Sequence, residues 1–153
     1  MTVSEKHSGG CGCGSIRYET CGEPQIAALC HCRYCQTRTG SAFGISVYFD
    51  NNNFKLLSGV LKEYKFTNNA GRTLSNYFCD KCGTNVCWKL EIREKFTGVA
   101  AGTFDPPTFW FDMDIEVFRR TKAPFLETNI SEKHDTVAYY EMKIPDPIRL
   151  TGD

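Results

Sequence analysis

The chain has 153 residues, of which 41% are hydrophobic and 24% charged, ordinary globular proportions with enough length for one buried core. Eighteen Lys and Arg balance eighteen Asp and Glu, so the formal net charge is zero and no basic excess recommends a nucleic-acid backbone as partner. No apolar run reaches the ~18 residues of a membrane span, and the N-terminus "MTVSEKHSGG" lacks a secretion signal's apolar stretch, so a cytoplasmic protein without a membrane partner is expected.

In chain order, residues 1–8 read as a polar, flexible tail. Short segments rich in β-branched and aromatic residues follow: "SIRYE" (15–19), "QIAAL" (25–29), "AFGISVYF" (42–49) and "FKLL" (54–57). Then come "LKEYKF" (61–66), "TLSNYF" (73–78), "NVCWKL" (85–90), "FTGVAA" (96–101) and "DIEVF" (114–118). Several alternate apolar and polar residues with the period of a half-buried strand. Turn compositions such as "DNNN", "TNNAG" and "FDPP" separate them. The apolar stretch "TFWFDMD" (108–114) reads as core or interface, with core favoured in so β-rich a chain. One helix is predicted at "EKHDTVAYYEMK" (132–143), ending before Pro145. Residues 9–145 thus read as one mainly β domain of antiparallel strands, with 146–153 as a C-terminal tail.

Nine cysteines are the anomaly. In a reducing compartment such density points to metal binding or catalysis rather than disulfides, and the odd count would leave one thiol unpaired. Cys79 and Cys82, in "FCDKCGT", have zinc-knuckle spacing, and Gly83 follows where a left-handed backbone is often needed. Cys11 and Cys13, in "GGCGCGS", supply two more sulfurs, since residues i and i+2 of an extended segment share a face. These four fit a closed tetrathiolate, a folding element without chemistry of its own. Cys30, Cys32 and Cys35, in "CHCRYC", remain. Either they hold a second metal with one coordination position open, as catalytic zinc requires, or they bind a closed ion with one outside ligand. Cys21 and Cys87 lack a partner pattern and read as small buried hydrophobes.

The order "GGCGCG…CHCRYC…GSAFG…FCDKCGT…GTFDPP" resembles the glutathione-dependent formaldehyde-activating enzyme family, which includes centromere protein V, from about Gly9 to Phe125. The resemblance implies a β-tent of stacked antiparallel sheets and two zinc ions per chain. One would be structural, on Cys11, Cys13, Cys79 and Cys82, and one catalytic, on Cys30, Cys32 and Cys35. It also implies carbon–sulfur lyase chemistry, the reversible addition of glutathione to formaldehyde giving S-(hydroxymethyl)glutathione. Many relatives carry a basic residue where Asn76 stands, and a His and a Trp where Glu116 and Phe125 stand.

The partner implied is a small molecule, with glutathione as the candidate substrate. A zinc-dependent elimination or isomerisation on another small molecule is the second reading, and a zinc-stabilised protein-binding module the third. His31 lies between two proposed ligands as a candidate base or orienting residue, though alternation would turn it away from the sulfurs. Arg33 and Arg38 are candidates for a substrate carboxylate, and Ser41 and Phe43, just past the cysteine loop, for the pocket lining. Asp105 is expected to cap a turn, Glu116 to be a surface strand carboxylate, and His7 and His134 to be exposed.

Overall fold

A computed structural model describes residues 3–144 and 147–151. The elements are β1 (Lys6–Gly10), β2 (Arg17–Cys21), β3 (Ile26–Cys30), α1 (Arg33–Thr39), β4 (Gly44–Asp50) and β5 (Phe54–Ser58). They continue with β6 (Leu61–Thr67), β7 (Thr73–Cys79), β8 (Asn85–Leu90), β9 (Phe96–Ala100), β10 (Ile115–Val117) and α2 (Ile148–Thr151). The strands form a three-stranded sheet, β1-β2-β5, and a seven-stranded one, β10-β3-β4-β9-β8-β7-β6. All pairings are antiparallel except that of β10 with β3. The mainly β, stacked architecture is the one expected.

Period-two alternation divides the large sheet into two faces. Ala27, Val47, Phe49, Cys87 and Val99 point toward the small sheet and pack with Ile16, Tyr18, Phe104 and Phe111 in the core. Their neighbours Ala28, Ser46, Tyr48 and Trp88 turn to the opposite, concave face, which is lined rather than filled. Of the aromatic stretch at 108–114, Phe111 is core, Trp110 and Met113 pack against it, and Phe109 is exposed.

Several expectations are corrected. Residues 6–8 belong to β1 rather than to a tail, and His7 stacks on Trp110 with ring centroids 3.6 Å apart instead of standing in solvent. Gly9 fits under Tyr18, where a Cβ would meet the phenol oxygen at 2.4 Å. The predicted helix over 132–143 is absent. Lys133 bridges Glu116, the N–H of Tyr140 closes a turn on the Val137 carbonyl, and the N–H groups of Lys143 and Ile144 go to the Asn69 carbonyl. Tertiary hydrogen bonds have taken the donors a helix would use. The stretch after 146 includes the short helix α2, although Pro145 and Asp146 lie outside the described residues. No helix among the described residues is long and apolar enough to cross a membrane.

The chain from 137 to 144 crosses the concave face between opposite edges of the seven-stranded sheet. Its anchors are Asn69, in the turn between β6 and β7, and Phe118, just after β10, which meets Tyr140 edge-on at 5.1 Å. Helix α1 reaches toward the same turn, where the Tyr34 hydroxyl accepts the Asn69 N–H at 3.1 Å. A roofed cavity results.

Candidate metal centres and cavity

The sulfurs of Cys11, Cys13, Cys79 and Cys82 all lie within 4.8 Å of one another. Cys11 and Cys13 are 3.5 Å apart and Cys13 and Cys79 3.8 Å. Sulfurs held tetrahedrally at ~2.3 Å from zinc would stand ~3.8 Å apart, so the donor set fits that ion. Cys11 and Cys13 lie in the loop after β1, and Cys79 and Cys82 at the turn after β7, so the cluster joins the two sheets. Gly83 has the positive φ, 76°, that its place in the knuckle asked for. N–H groups of Ile16 and Lys81 point at Cys11 and Cys79, 3.2 and 3.4 Å away. Burial pushes the Cys11 thiol up, but hydrogen bonds from Ile16, Ser15 and the neighbouring cysteines outweigh it and bring it to about 7. Thr84 accepts the Gly12 N–H at 3.1 Å and stands 3.2 Å from the Cys82 sulfur, whose pKa its hydrogen bonds bring to about 5.

Cys30, Cys32 and Cys35 also fall within 4.8 Å of one another. Cys30 closes β3, and Cys32 is the N-cap of α1, its sulfur accepting the Cys35 N–H at 3.4 Å. The strand therefore breaks at His31, and the alternation expected through it does not apply. Hydrogen bonds from Cys30 and Cys32 hold the Cys35 thiol well below its usual range against burial, aided by the Arg38 cation. The same bonds, with burial, push Cys30 well above it. Three thiolates this close repel one another and need a cation among them, so the donor set suits a divalent metal.

The tripod opens into a cavity of about 440 Å³ on the concave face. Arg33, Arg38, Arg72, Arg93 and Arg120 line it, against one carboxylate, Glu132. Arg38 lies over the Trp88 ring, 4.1 Å from its centroid, and the Trp88 indole N–H donates to the Tyr48 hydroxyl at 3.3 Å. Arg93 in turn lies over Tyr48, at 5.4 Å. Gly98, between these rings in β9, leaves them room, since a Cβ there would meet the Trp88 indole nitrogen at 2.1 Å. Arg33 is committed to the Arg149 carbonyl at 2.8 Å and the Gln36 side chain at 2.7 Å. Asn76 lines the cavity too, paired across strands with Trp88.

His31 and Glu116 lie behind the tripod, outside the cavity lining. Glu116, expected on the surface, is 1% exposed, and His31 is fully buried. The imidazole Nε2 lies 2.7 Å from Glu116 Oε1, while Thr128 donates to Oε2 at 2.5 Å and Lys133 stands 3.8 Å away. Burial raises the Glu116 pKa, but the Thr128 and His31 hydrogen bonds overcome this and leave it below the ordinary value. The His31 backbone N–H donates to Val117 at 3.1 Å, and its carbonyl accepts from Thr121 at 2.7 Å. These contacts fix the loop carrying the sulfurs. The parallel pairing of β10 with β3, which places Glu116 beside Leu29, has no local sequence signal.

Other residues fall elsewhere. Ser41 is exposed and Phe43 half-buried, neither lining the cavity, and Phe43 packs edge-on against His31 at 6.2 Å. Asp105 pairs with Arg17, which accounts for its lowered pKa. Cys87 is buried in the core, Cys21 is half-buried, and His134 is exposed beside Glu132.

Two cysteine sets able to hold metal, on a mainly β fold with a cavity over one of them, define the class of protein. The family model for glutathione-dependent formaldehyde-activating enzymes matches residues 6–121, and the chain belongs to that family. The fold is also similar to that of a Rhodobacter sphaeroides protein solved by crystallography, with 21% identity and a TM-score of 0.53. That match covers 65% of this chain and 88% of the other.

Proposed function

We propose that the protein is a zinc-dependent carbon–sulfur lyase acting on adducts of glutathione or a related thiol with a carbonyl compound. The observation that carries this reading is the juxtaposition of the three sulfurs with a cavity bearing five arginines and one carboxylate. In the forward direction the thiol sulfur bonds to the carbonyl carbon, the C=O π bond breaks, and the thiol proton ends on the new hydroxyl. The reverse step breaks the carbon–sulfur bond and returns the proton.

Zinc on Cys30, Cys32 and Cys35 would supply a vacant position and Lewis acidity there, while Cys11, Cys13, Cys79 and Cys82 would hold a second, structural ion. Arg38 sets positive charge beside the reacting sulfur. Gly44 of β4 pairs with Cys30 and Tyr48 with Ile26, so Tyr48 and Arg93 lie about 13 Å further along the strand. Arg72 and Arg93 line the same cavity as the three sulfurs and are the partners proposed for the thiol's carboxylates. His31, held by Glu116, is a positioning residue for the sulfur loop.

Mixing glutathione with formaldehyde and, separately, with benzaldehyde in the presence of metal-loaded protein and following the adducts by NMR tests the proposal. Acceleration of either reaction over its spontaneous rate supports it, and acceleration of neither overturns it.

A further inference from the structure

The family match ends at Thr121, yet the cavity wall continues beyond it with Val137, Ala138, Tyr139 and Tyr140. This part of the roof is pinned in place. The Asn69 side-chain amide donates to the Tyr140 hydroxyl at 3.0 Å, and the Asn69 carbonyl accepts from Lys143 and Ile144 at 2.7 and 2.9 Å. Tyr140 also lies at the tripod's end of the cavity. Its edge-on partner is Phe118, one residue past Val117, which pairs with Cys30. Phe118 holds a left-handed backbone, φ 55°, a costly conformation for an aromatic residue, and its side chain lines the cavity. Across from this pair, Tyr34 stacks on Phe66 at 5.6 Å.

The surroundings of the reacting sulfur are thus aromatic. A one-carbon substituent on that sulfur would leave these walls unmet, whereas a ring or branched group would meet Phe118 and Tyr140. We infer that Phe118 and Tyr140 form a specificity wall selecting thiol adducts with a bulky aromatic or branched apolar substituent on sulfur. The inference rests on the lyase reading and names the substrate class of the same site. The arginines hold the thiol's carboxylates, and the wall receives the carbonyl-derived group.

Two inert thioethers, S-benzylglutathione and S-methylglutathione, isolate this contact, because neither can react and the glutathione part cancels between them. Titration calorimetry on metal-loaded protein should show the benzyl compound binding at least about tenfold more tightly. Tyr140→Ala and Phe118→Ala should each cut that ratio to about threefold or less, and Tyr140→Phe, which keeps the ring, should preserve it. Metal content and circular dichroism identify any variant that has lost its fold, and the two alanine variants serve as independent checks. Equal affinities in the wild type, or a ratio that survives both alanine substitutions, overturn the inference. A protein that prefers the benzyl compound yet speeds adduct formation with neither formaldehyde nor benzaldehyde refutes the lyase reading alone. One that speeds it without the preference refutes only this inference.

Discussion

The two sulfur clusters use the same ligand type in opposite settings. Cys11, Cys13, Cys79 and Cys82 surround a point from four sides at the seam of the sheets, with hydroxyls and N–H groups directed at their sulfurs. Cys30, Cys32 and Cys35 approach from one side, backed by a buried His–Glu pair and faced by a cavity. Sulfur number and backing, rather than ligand chemistry, are what would separate a structural staple from the reactive centre proposed above.

The comparison breaks most completely at Cys79, which is fully buried and joins both sheets. Cys79→Ser should remove a structural metal worth on the order of 10 kcal/mol, comparable to a whole domain's stability. The expected result is loss of the cooperative thermal transition. Cys32→Ser should take one metal equivalent and reduce activity to background while leaving the far-ultraviolet dichroism intact, with elemental analysis of metal per chain as the check. Should Cys32→Ser unfold the protein as Cys79→Ser does, the division of labour fails.

Glu116→Gln sharpens the contrast, since it touches only the backing of the tripod. Metal affinity at the second centre should fall about 10- to 100-fold in chelator competition, with the first centre unaffected. The pH dependence has a definite sign. The folded-state pKa of Glu116 is depressed, so its contribution is complete above the ordinary value of 4.5 and disappears as pH falls through the lower folded value. The stability difference between wild type and Glu116→Gln, read from urea midpoints, should therefore be largest near neutrality and close in acid. The smallest effect is expected from Thr84→Val, which strips a hydroxyl from Cys82 and Gly12. It should cost about 1 kcal/mol in denaturant unfolding and leave activity alone.

Both cysteine clusters were legible in the sequence because spacing within a few residues dictates where sulfurs meet, and a central strand such as β4 was legible through its alternation. β1 was not, because "KHSGG" contains no strand-favouring residue, and Gly9 is there to admit Tyr18. The helix α1 was hidden in a cysteine run, since a cysteine is an unusual N-cap and the metal reading claimed the same residues. Glu116 was misplaced because its partners, His31 and Thr128, come together only through the parallel pairing. The stretch 132–143 looked helical, but its His134 and Lys143 N–H groups go to the distant Glu116 and Asn69 carbonyls.

That parallel pairing also orders events in time. The four-sulfur cluster needs nothing beyond Cys82, so it can close while the rest of the chain is still being made. The loop of the second cluster gains its buttress only once Glu116, Thr128 and Lys133 exist. A growing chain can therefore close its four-sulfur seam before the buttress of its three-sulfur loop exists.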